Sequence, residues 1–367
     1  MAAIITFTAS ELADTGDLYN WTDYAYPTDE PDYQCDFEMD PQTFHTGLHT
    51  AFYIFTFLLG VAGNGLMMTI LLRRWRLLRI TEIYLLHLAL ADLMLLFTFP
   101  FSVAENATGW LFGNFLCKVM GLMKQLNLLC ASFLLACIGF DRYLAIVHAI
   151  TSMQSRRKRT VHLTCSILWL VCLALSAPNV VFLTVNVEST NTSRLSCFFH
   201  DYRNHASNWV MTIRVLHHVC FFLPLAIMSY CYTAVVVTLF KSQKSQAKRG
   251  AIRLALLITL VFCFCWLPYN VTLVIHTMED QAVILYESCE SYGILQQALV
   301  VTESLGFAHS CLNPFLYAFV GVRFRNELIQ LLCKFGCRRV CMPFIRAQGH
   351  SRPPSSDGVT TTTSILI

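Results

Sequence analysis

The sequence predicts an all-α membrane protein: a seven-transmembrane helix bundle with a short amphipathic helix after the seventh span. Three observations carry that expectation. Of the 367 residues, 55% are hydrophobic and only 13% charged, with a mean hydropathy of +0.52; a soluble domain holds about 25% charged residues. Seven runs nearly free of charge, at roughly 48–72, 83–104, 115–140, 161–185, 209–240, 252–277 and 292–320, suit the ~20-residue crossing of a hydrocarbon core. They must be helices, because lipid offers no partner to an open backbone amide or carbonyl.

The third observation is where the basic residues gather. Arg73, Arg74, Arg76 and Arg79 follow the first run, and Arg156, Arg157, Lys158 and Arg159 follow the third. Lys241, Lys244, Lys248, Arg249 and Arg253 join the fifth to the sixth, and Arg323, Arg325, Lys334, Arg338, Arg339, Arg346 and Arg352 lie beyond the seventh. The opposite links offer Arg194 and Arg203, and residues 1–72 hold no Lys or Arg. Basic links stay inside, so the N-terminus is extracellular and the C-terminus cytoplasmic. Seven crossings demand the same parity. The net charge of +3 averages over this polarity and says little.

Taken in order, the chain opens on an acidic arm. Residues 1–48 carry ten acids, Asp32 among them, and no base, with Tyr19, Tyr24, Tyr26 and Tyr33 interleaved. Such a segment should be disordered when free. It reads either as a solubilising tail or as an arm that draws in a basic protein and wraps onto it. Tyrosines beside acids also suit sulfation. The opening MAAIITFTAS lacks the basic region and longer apolar core of a signal peptide, so the first helix is expected to be its own insertion signal. Asn20-Trp-Thr22 and Asn191-Thr-Ser193 are outer glycosylation sequons. Asn106-Ala-Thr108 sits close to the membrane, and Asn270-Val-Thr272 lies inside the sixth run, out of reach.

Of sixteen cysteines, Cys35, Cys117, Cys197 and Cys289 fall outside. An oxidising compartment favours two disulfides there, with three pairings open. Joining Cys117 to Cys197 would pin the link before the fifth run over the bundle. Cys35 with Cys289 would tie the arm to the last outer link. Nine cysteines lie within or beside the apolar runs and are expected to pack as small hydrophobes. Inside the runs stand Asn64, Asp92, Asn127, His309, Asn313 and Tyr317. Ionisable groups in a membrane face its protein interior and are functional candidates, although a network that only glues helices is the plainer reading. Pro100, Pro178, Pro224, Pro268 and Pro314 place one proline in each of five runs, each removing a backbone bond. That pattern suggests a bundle built to move.

DRYLAIVHA (Asp141–Ala149), CWLPYN (Cys265–Asn270) and HSCLNPFLYAF (His309–Phe319), with GNGLM around Asn64, LALAD around Asp92 and GWLFGNFLCK leading to Cys117, together resemble a rhodopsin-type G-protein-coupled receptor of the chemokine-receptor family. The acidic Tyr-rich arm, Cys35, Cys289 and DRYLAIV resemble chemokine receptors over other peptide receptors, and GWLFGNFLCK and LGFAHSCLNP look most like the CXC class, near its interleukin-8 and B-lymphocyte-homing types. The resemblance divides the chain into an extracellular arm (1–47), a seven-transmembrane receptor domain (48–320) and a cytoplasmic tail (321–367).

The resemblance implies a CXC chemokine ligand bound at two sites. The arm, through Tyr19, Tyr24, Tyr26, Tyr33 and Asp32, would hold the globular body, while the ligand's flexible N-terminus enters the bundle. Glu303 matches a pocket glutamate that meets the ligand's amino group. Lys124, two turns below Cys117, should face the same cavity, with Glu105, His276, Glu287 and Glu290 on the rim. A purely structural Lys124–Glu303 ion pair is the competing reading. Trp266 and Pro268 would couple ligand insertion to an outward swing of the sixth helix. Tyr232 and Tyr317, with Asn313 and Pro314 beside the latter, would repack around Arg142, which lies between Asp141 and Tyr143. Many relatives restrain that arginine with an acid on the sixth helix; Lys248 stands there instead, leaving Asp141 as the restraint.

Asp92, Asn127 and Asn313 could help hold an allosteric sodium ion, although Ala131 replaces a common Ser; no other cofactor is expected. Val322–Phe335 reads as the amphipathic inner-surface helix, with Cys333, Cys337 or Cys341 available for palmitate. Ser351, Ser355, Ser356, Thr360 to Thr363 and Ser364 could recruit receptor kinases and arrestin. The implied activity is activation of an inhibitory-class heterotrimeric G protein at the plasma membrane, with calcium mobilisation and chemotaxis as outputs. Other classes fit poorly. A transporter or channel would show repeats or a charged pore ring, an enzyme would need a nucleophile and base, and no feature points to nucleic acid. A decoy receptor would carry a disturbed Asp-Arg-Tyr region, and here Asp141 to Val147 is intact.

Overall fold

The computed structural model describes residues 42–148, 158–189, 192–199, 207–241, 246–280, 289–320, 324–327 and 329. Tyr19, Asn20, Tyr24, Tyr26, Asp32, Tyr33, Cys35, Asn191, Glu287 and the Ser/Thr-rich tail lie outside them, as do the side chains of Lys248, Cys289 and Glu290.

The helices follow the apolar runs. They are α1 (Gln42–Arg73), α2 (Ile80–Phe97), α3 (Phe99–Thr108), α4 (Gly113–Ile146), α5 (Lys158–Phe182), α6 (Ser207–Lys241), α7 (Gln246–Asp280) and α8 (Cys289–Val320). α2 and α3 form one pass broken at Thr98. Pro100 lacks an N–H, and Thr98 turns both its backbone N and Oγ1 to Leu95 O, at 2.9 and 2.7 Å. The other prolines sit inside α5, α6, α7 and α8. Gly109 ends α3 at φ 81°, a conformation that a side chain would strain.

Among the described residues six passes are long and apolar enough to cross a membrane. The seventh, α8, carries Gln296, Gln297, Glu303, His309 and Asn313. It packs on α7 and α1, with His309 and Asn313 buried and Gln297 exposed. The core is a continuous seam of large side chains, with Trp266, Phe99, Phe221, Phe262 and Phe307 almost wholly buried. Asn270 is fully buried, so its sequon is out of reach.

One element departs from the expectation. The fourth run was expected to stay helical to 185, but α5 stops at Phe182. Leu183–Ser189 (β1) and Thr192–Phe199 (β2) form an antiparallel hairpin, with Thr184 opposite Phe198 and Val185 opposite Cys197. β-branched residues suit a pleated pair, and this short link leaves the apolar layer. Of the amphipathic segment, residues 324–327 are helical. Phe324 meets the Tyr317 ring at 6.3 Å, and Glu327 Oε1 pairs with Arg74 Nη1 at 2.9 Å.

Candidate functional site

The outer end of the bundle is held by covalent and backbone ties. Cys117, at the start of α4, is disulfide-bonded to Cys197 of β2, with their Cα atoms 5.6 Å apart. Trp110 N donates to Leu195 O at 2.7 Å, and Cys197 N donates to Glu105 Oε1 at 3.0 Å. Glu105, expected on the ligand rim, therefore anchors the hairpin.

Below the hairpin lie the two charges expected to face one cavity. Among the described residues no ion pair within 4.0 Å joins Lys124 to Glu303, and the two charges act on each other at longer range. Lys124 Nζ instead stands 5.8 Å from the Phe307 ring centroid. Phe307 lies one helical turn beyond Glu303 and meets Trp266 edge to face, with centroids 5.6 Å apart. On its other sides it packs against Phe99 and Tyr53 at 5.8 and 6.4 Å. A charge-bearing rim thus sits directly on an aromatic stack ending at Trp266. His276, another expected rim residue, lies between Arg214 Nη1 and Gln296 Nε2, at 2.9 and 3.0 Å.

A second route reaches the same tryptophan. Gln125 Nε2 contacts His217 Nδ1 at 3.3 Å, His217 Nε2 contacts Asn270 Oδ1 at 3.2 Å, and Asn270 Nδ2 donates to Trp266 O at 2.9 Å. Phe307, Gln125, His217 and Asn270 were not singled out as site residues from sequence. The adjacent His217-His218 pair in an apolar run was the available signal.

Trp266 reaches the middle of the bundle through His309. The His309 Nδ1 atom lies 3.1 Å from Trp266 Nε1 and 2.6 Å from Gly306 O, and it cannot serve both. The indole N–H only donates and the carbonyl only accepts, so the two contacts call for opposite tautomers, with the proton on Nδ1 for the carbonyl and on Nε2 for the indole. His309 Nε2 faces Asp92 Oδ1 at 3.3 Å, close but poorly aligned for a hydrogen bond. Asp92 also accepts from Asn127 Nδ2 at 3.1 Å and Asn313 Nδ2 at 2.9 Å. Gly306 permits this approach: a Cβ there would come 2.6 Å from Trp266 Cε3.

At the inner mouth Arg142 Nη2 donates to Asp141 Oδ2 at 2.5 Å and to Thr81 Oγ1 at 2.6 Å. Thr81, in the first turn of α2, is a second restraint that the sequence reading missed. Tyr143 turns to the edge, with its hydroxyl 3.0 Å from His148 Nε2 and its ring 5.8 Å from that of Tyr230. Tyr232 OH accepts from Thr259 Oγ1 at 3.2 Å, tying α6 to α7, while the buried Tyr317 hydroxyl has no hydrogen-bond partner. Where an acid on α7 would have closed the mouth, Ile146, Val235 and Ile252 form a buried apolar cluster across α4, α6 and α7.

Comparison with known proteins agrees with this geometry. The family described as 7 transmembrane receptor (rhodopsin family) matches residues 63–317. The chain is 40% identical over 315 residues to C-X-C chemokine receptor type 5 of Mus musculus, covering 85% of this chain and 84% of that one. It is 42% identical over 285 residues to C-X-C chemokine receptor type 2 of Homo sapiens, covering 77% and 78%. With C-X-C chemokine receptor type 1 of Oryctolagus cuniculus it shares 38% over 326 residues, covering 87% and 90%. With the family matched over most of the bundle and relatives about 40% identical over three quarters or more of each chain, this is a plasma-membrane receptor and not an enzyme: it belongs to the chemokine receptors of the rhodopsin family.

Proposed function

We propose that this receptor binds a CXC chemokine at its outer face and converts that binding into activation of an inhibitory-class heterotrimeric G protein. Calcium mobilisation and chemotaxis follow, and receptor kinases and arrestin act on the tail. The observation that carries the reading is Phe307, whose ring meets Trp266 on one side and Lys124 on another and which lies one helical turn from Glu303. A chemokine's charged amino terminus seeking Glu303 must press on the aromatic pair beside it. Only interactions stronger in the open form than in the resting one can shift the equilibrium, and by reciprocity a bound G protein raises chemokine affinity. Glu303→Gln is expected to abolish chemokine-driven, pertussis-toxin-sensitive signalling at normal surface expression. Unchanged signalling would remove this reading, and binding without any toxin-sensitive signal would make the protein a scavenger.

We infer that Asp92 is served by donors of the protein in place of a sodium ion. A cation needs oxygen lone pairs, and the three groups facing this carboxylate, Asn127 Nδ2, Asn313 Nδ2 and His309 Nε2, are all nitrogens. Ala131 has no hydroxyl to offer, while Asn127 Oδ1 and Asn313 Oδ1, buried without partners, are the oxygens a cation would have to recruit. Asp92 is served by internal donors, so chemokine binding should be unchanged when sodium is replaced by a bulky organic cation at constant ionic strength. A sodium-specific fall in affinity would reverse this conclusion.

A further inference from the structure

The link between α1 and α2 carries a combination that the signalling path leaves unused. Leu72, Trp75 and Leu77 are 51%, 61% and 72% exposed, and the exposed Arg73, Arg74, Arg76 and Arg79 alternate with them. A single 3-10 turn, Trp75–Leu77, holds the aromatic in place. α5 begins beside it, because Lys158 Nζ donates to Arg76 O at 3.1 Å. Lys158 and the adjacent, exposed Arg159 thus join the same surface.

Arg74 is taken by Glu327. Among the described residues no carboxylate lies within 4.0 Å of Arg73, Arg76, Arg79, Lys158 or Arg159. The nearest acid in sequence, Glu82, uses Oε2 to accept from Arg79 N at 2.7 Å. All these groups sit at one membrane level. Arg73 ends one crossing helix, Ile80 begins the next, and Lys158 begins a third.

We propose that this surface binds the headgroup of an anionic phospholipid bearing phosphomonoester groups. Arg73, Arg76, Arg79, Lys158 and Arg159 surround the phosphates, and Trp75 seats in the interface. An indole at the boundary of headgroups and acyl chains is at home in both, and clustered basic residues just inside a membrane helix attract the anionic inner leaflet. The level of the exposed apolar side chains favours a lipid over a protein partner, which would dock farther into the cytoplasm. Five cations without a carboxylate partner among the described residues exceed what a serine headgroup, with one net negative charge, can neutralise. Guanidinium forks also engage two oxygens of one phosphate at a time.

The test uses the full-length receptor in phosphatidylcholine nanodiscs with a fluorescent phosphatidylinositol bisphosphate tracer. Combining Arg73→Gln, Arg76→Gln and Lys158→Gln is expected to weaken tracer binding on the order of 100-fold, from about fivefold per cation. Arg253→Gln, at an exposed cation on α7, should change it less than twofold. Arg76→Lys should retain most of the binding, which separates lost charge from lost fold. Phosphatidylserine should compete weakly. Equal losses in the triple and Arg253 variants would overturn the proposal, reducing the site to general surface charge. Equal competition by free inositol trisphosphate would overturn the membrane source. A triple variant that binds tracer normally but couples poorly to G protein would overturn it in favour of a protein interface.

Discussion

The two ends of the bundle are held by different kinds of force. The outer end has a disulfide from α4 to β2, and the same hairpin is fastened by the Glu105 carboxylate of α3 and the Trp110 backbone just beyond it. Among the described residues, the inner mouth of the bundle has no covalent tie. There Arg142 rests on Asp141 and Thr81, Tyr232 on Thr259, and an apolar cluster of three side chains closes the gap. Each inner contact contributes about 0.5–3 kcal/mol, so each can be exchanged for another. The outer end can therefore keep its shape while it receives a ligand, and the same free energy applied to the inner end suffices to open it.

The largest expected effect comes from making the outer end as loose as the inner one. Cys197→Ser opens a link between residues 80 apart in sequence, and losing such a bridge costs about 2–5 kcal/mol. Surface expression should fall severely, and the receptors that reach the surface should bind chemokine poorly. Near-normal binding would mean that Glu105 and Trp110 hold the hairpin unaided. Gly306→Ala comes next. Its new Cβ would press into the Trp266 ring from a neighbouring helix, and overpacking of this kind costs about 1–3 kcal/mol. Because Trp266 joins the two ends, the variant should alter basal signalling with expression reduced only modestly. Unaltered basal exchange of guanine nucleotide would remove Trp266 from the path.

How much of this was legible in the sequence differs between the same two regions. The seven passes, their orientation and the polar midplane could be read from charge deficit, basic links and isolated polar residues, because lipid forbids most alternatives. The Cys117–Cys197 pairing could be named but not selected, since three pairings were open. The hairpin was missed because residues 183–185 continue an apolar run, and only their partners on β2 distinguish strand from helix. Thr81 was missed for a related reason. A threonine two residues past a basic link is unremarkable until folding brings it beneath an arginine 61 positions away. The Glu105 contact with Cys197 N was hidden in the same way, its acidity suggesting a ligand where the fold supplies a backbone amide.

The smallest effects lie at Arg142, where the comparison is sharpest. Lys248 leaves no acid at the inner start of α7, so the sequence made Asp141 the sole restraint; the geometry adds Thr81 on the same nitrogen. Asp141→Asn keeps an acceptor but loses the charge, and a charge-assisted bond exceeds a neutral one by about twofold in strength. Thr81→Val loses only a hydroxyl. A change of about 1 kcal/mol in the resting state shifts the open population roughly fivefold. Basal nucleotide exchange should therefore rise by about that factor in Asp141→Asn and by less in Thr81→Val. Because both partners hold Nη2, neither substitution frees the arginine alone, and the double variant should exceed the product of the two. If Thr81→Val matched the unsubstituted receptor in both backgrounds, the hydroxyl would be a bystander and the mouth would rest on one carboxylate and the Ile146, Val235 and Ile252 cluster. Ile252→Ser would then become the larger activating change, because an apolar seal would be all that holds α7 against α4.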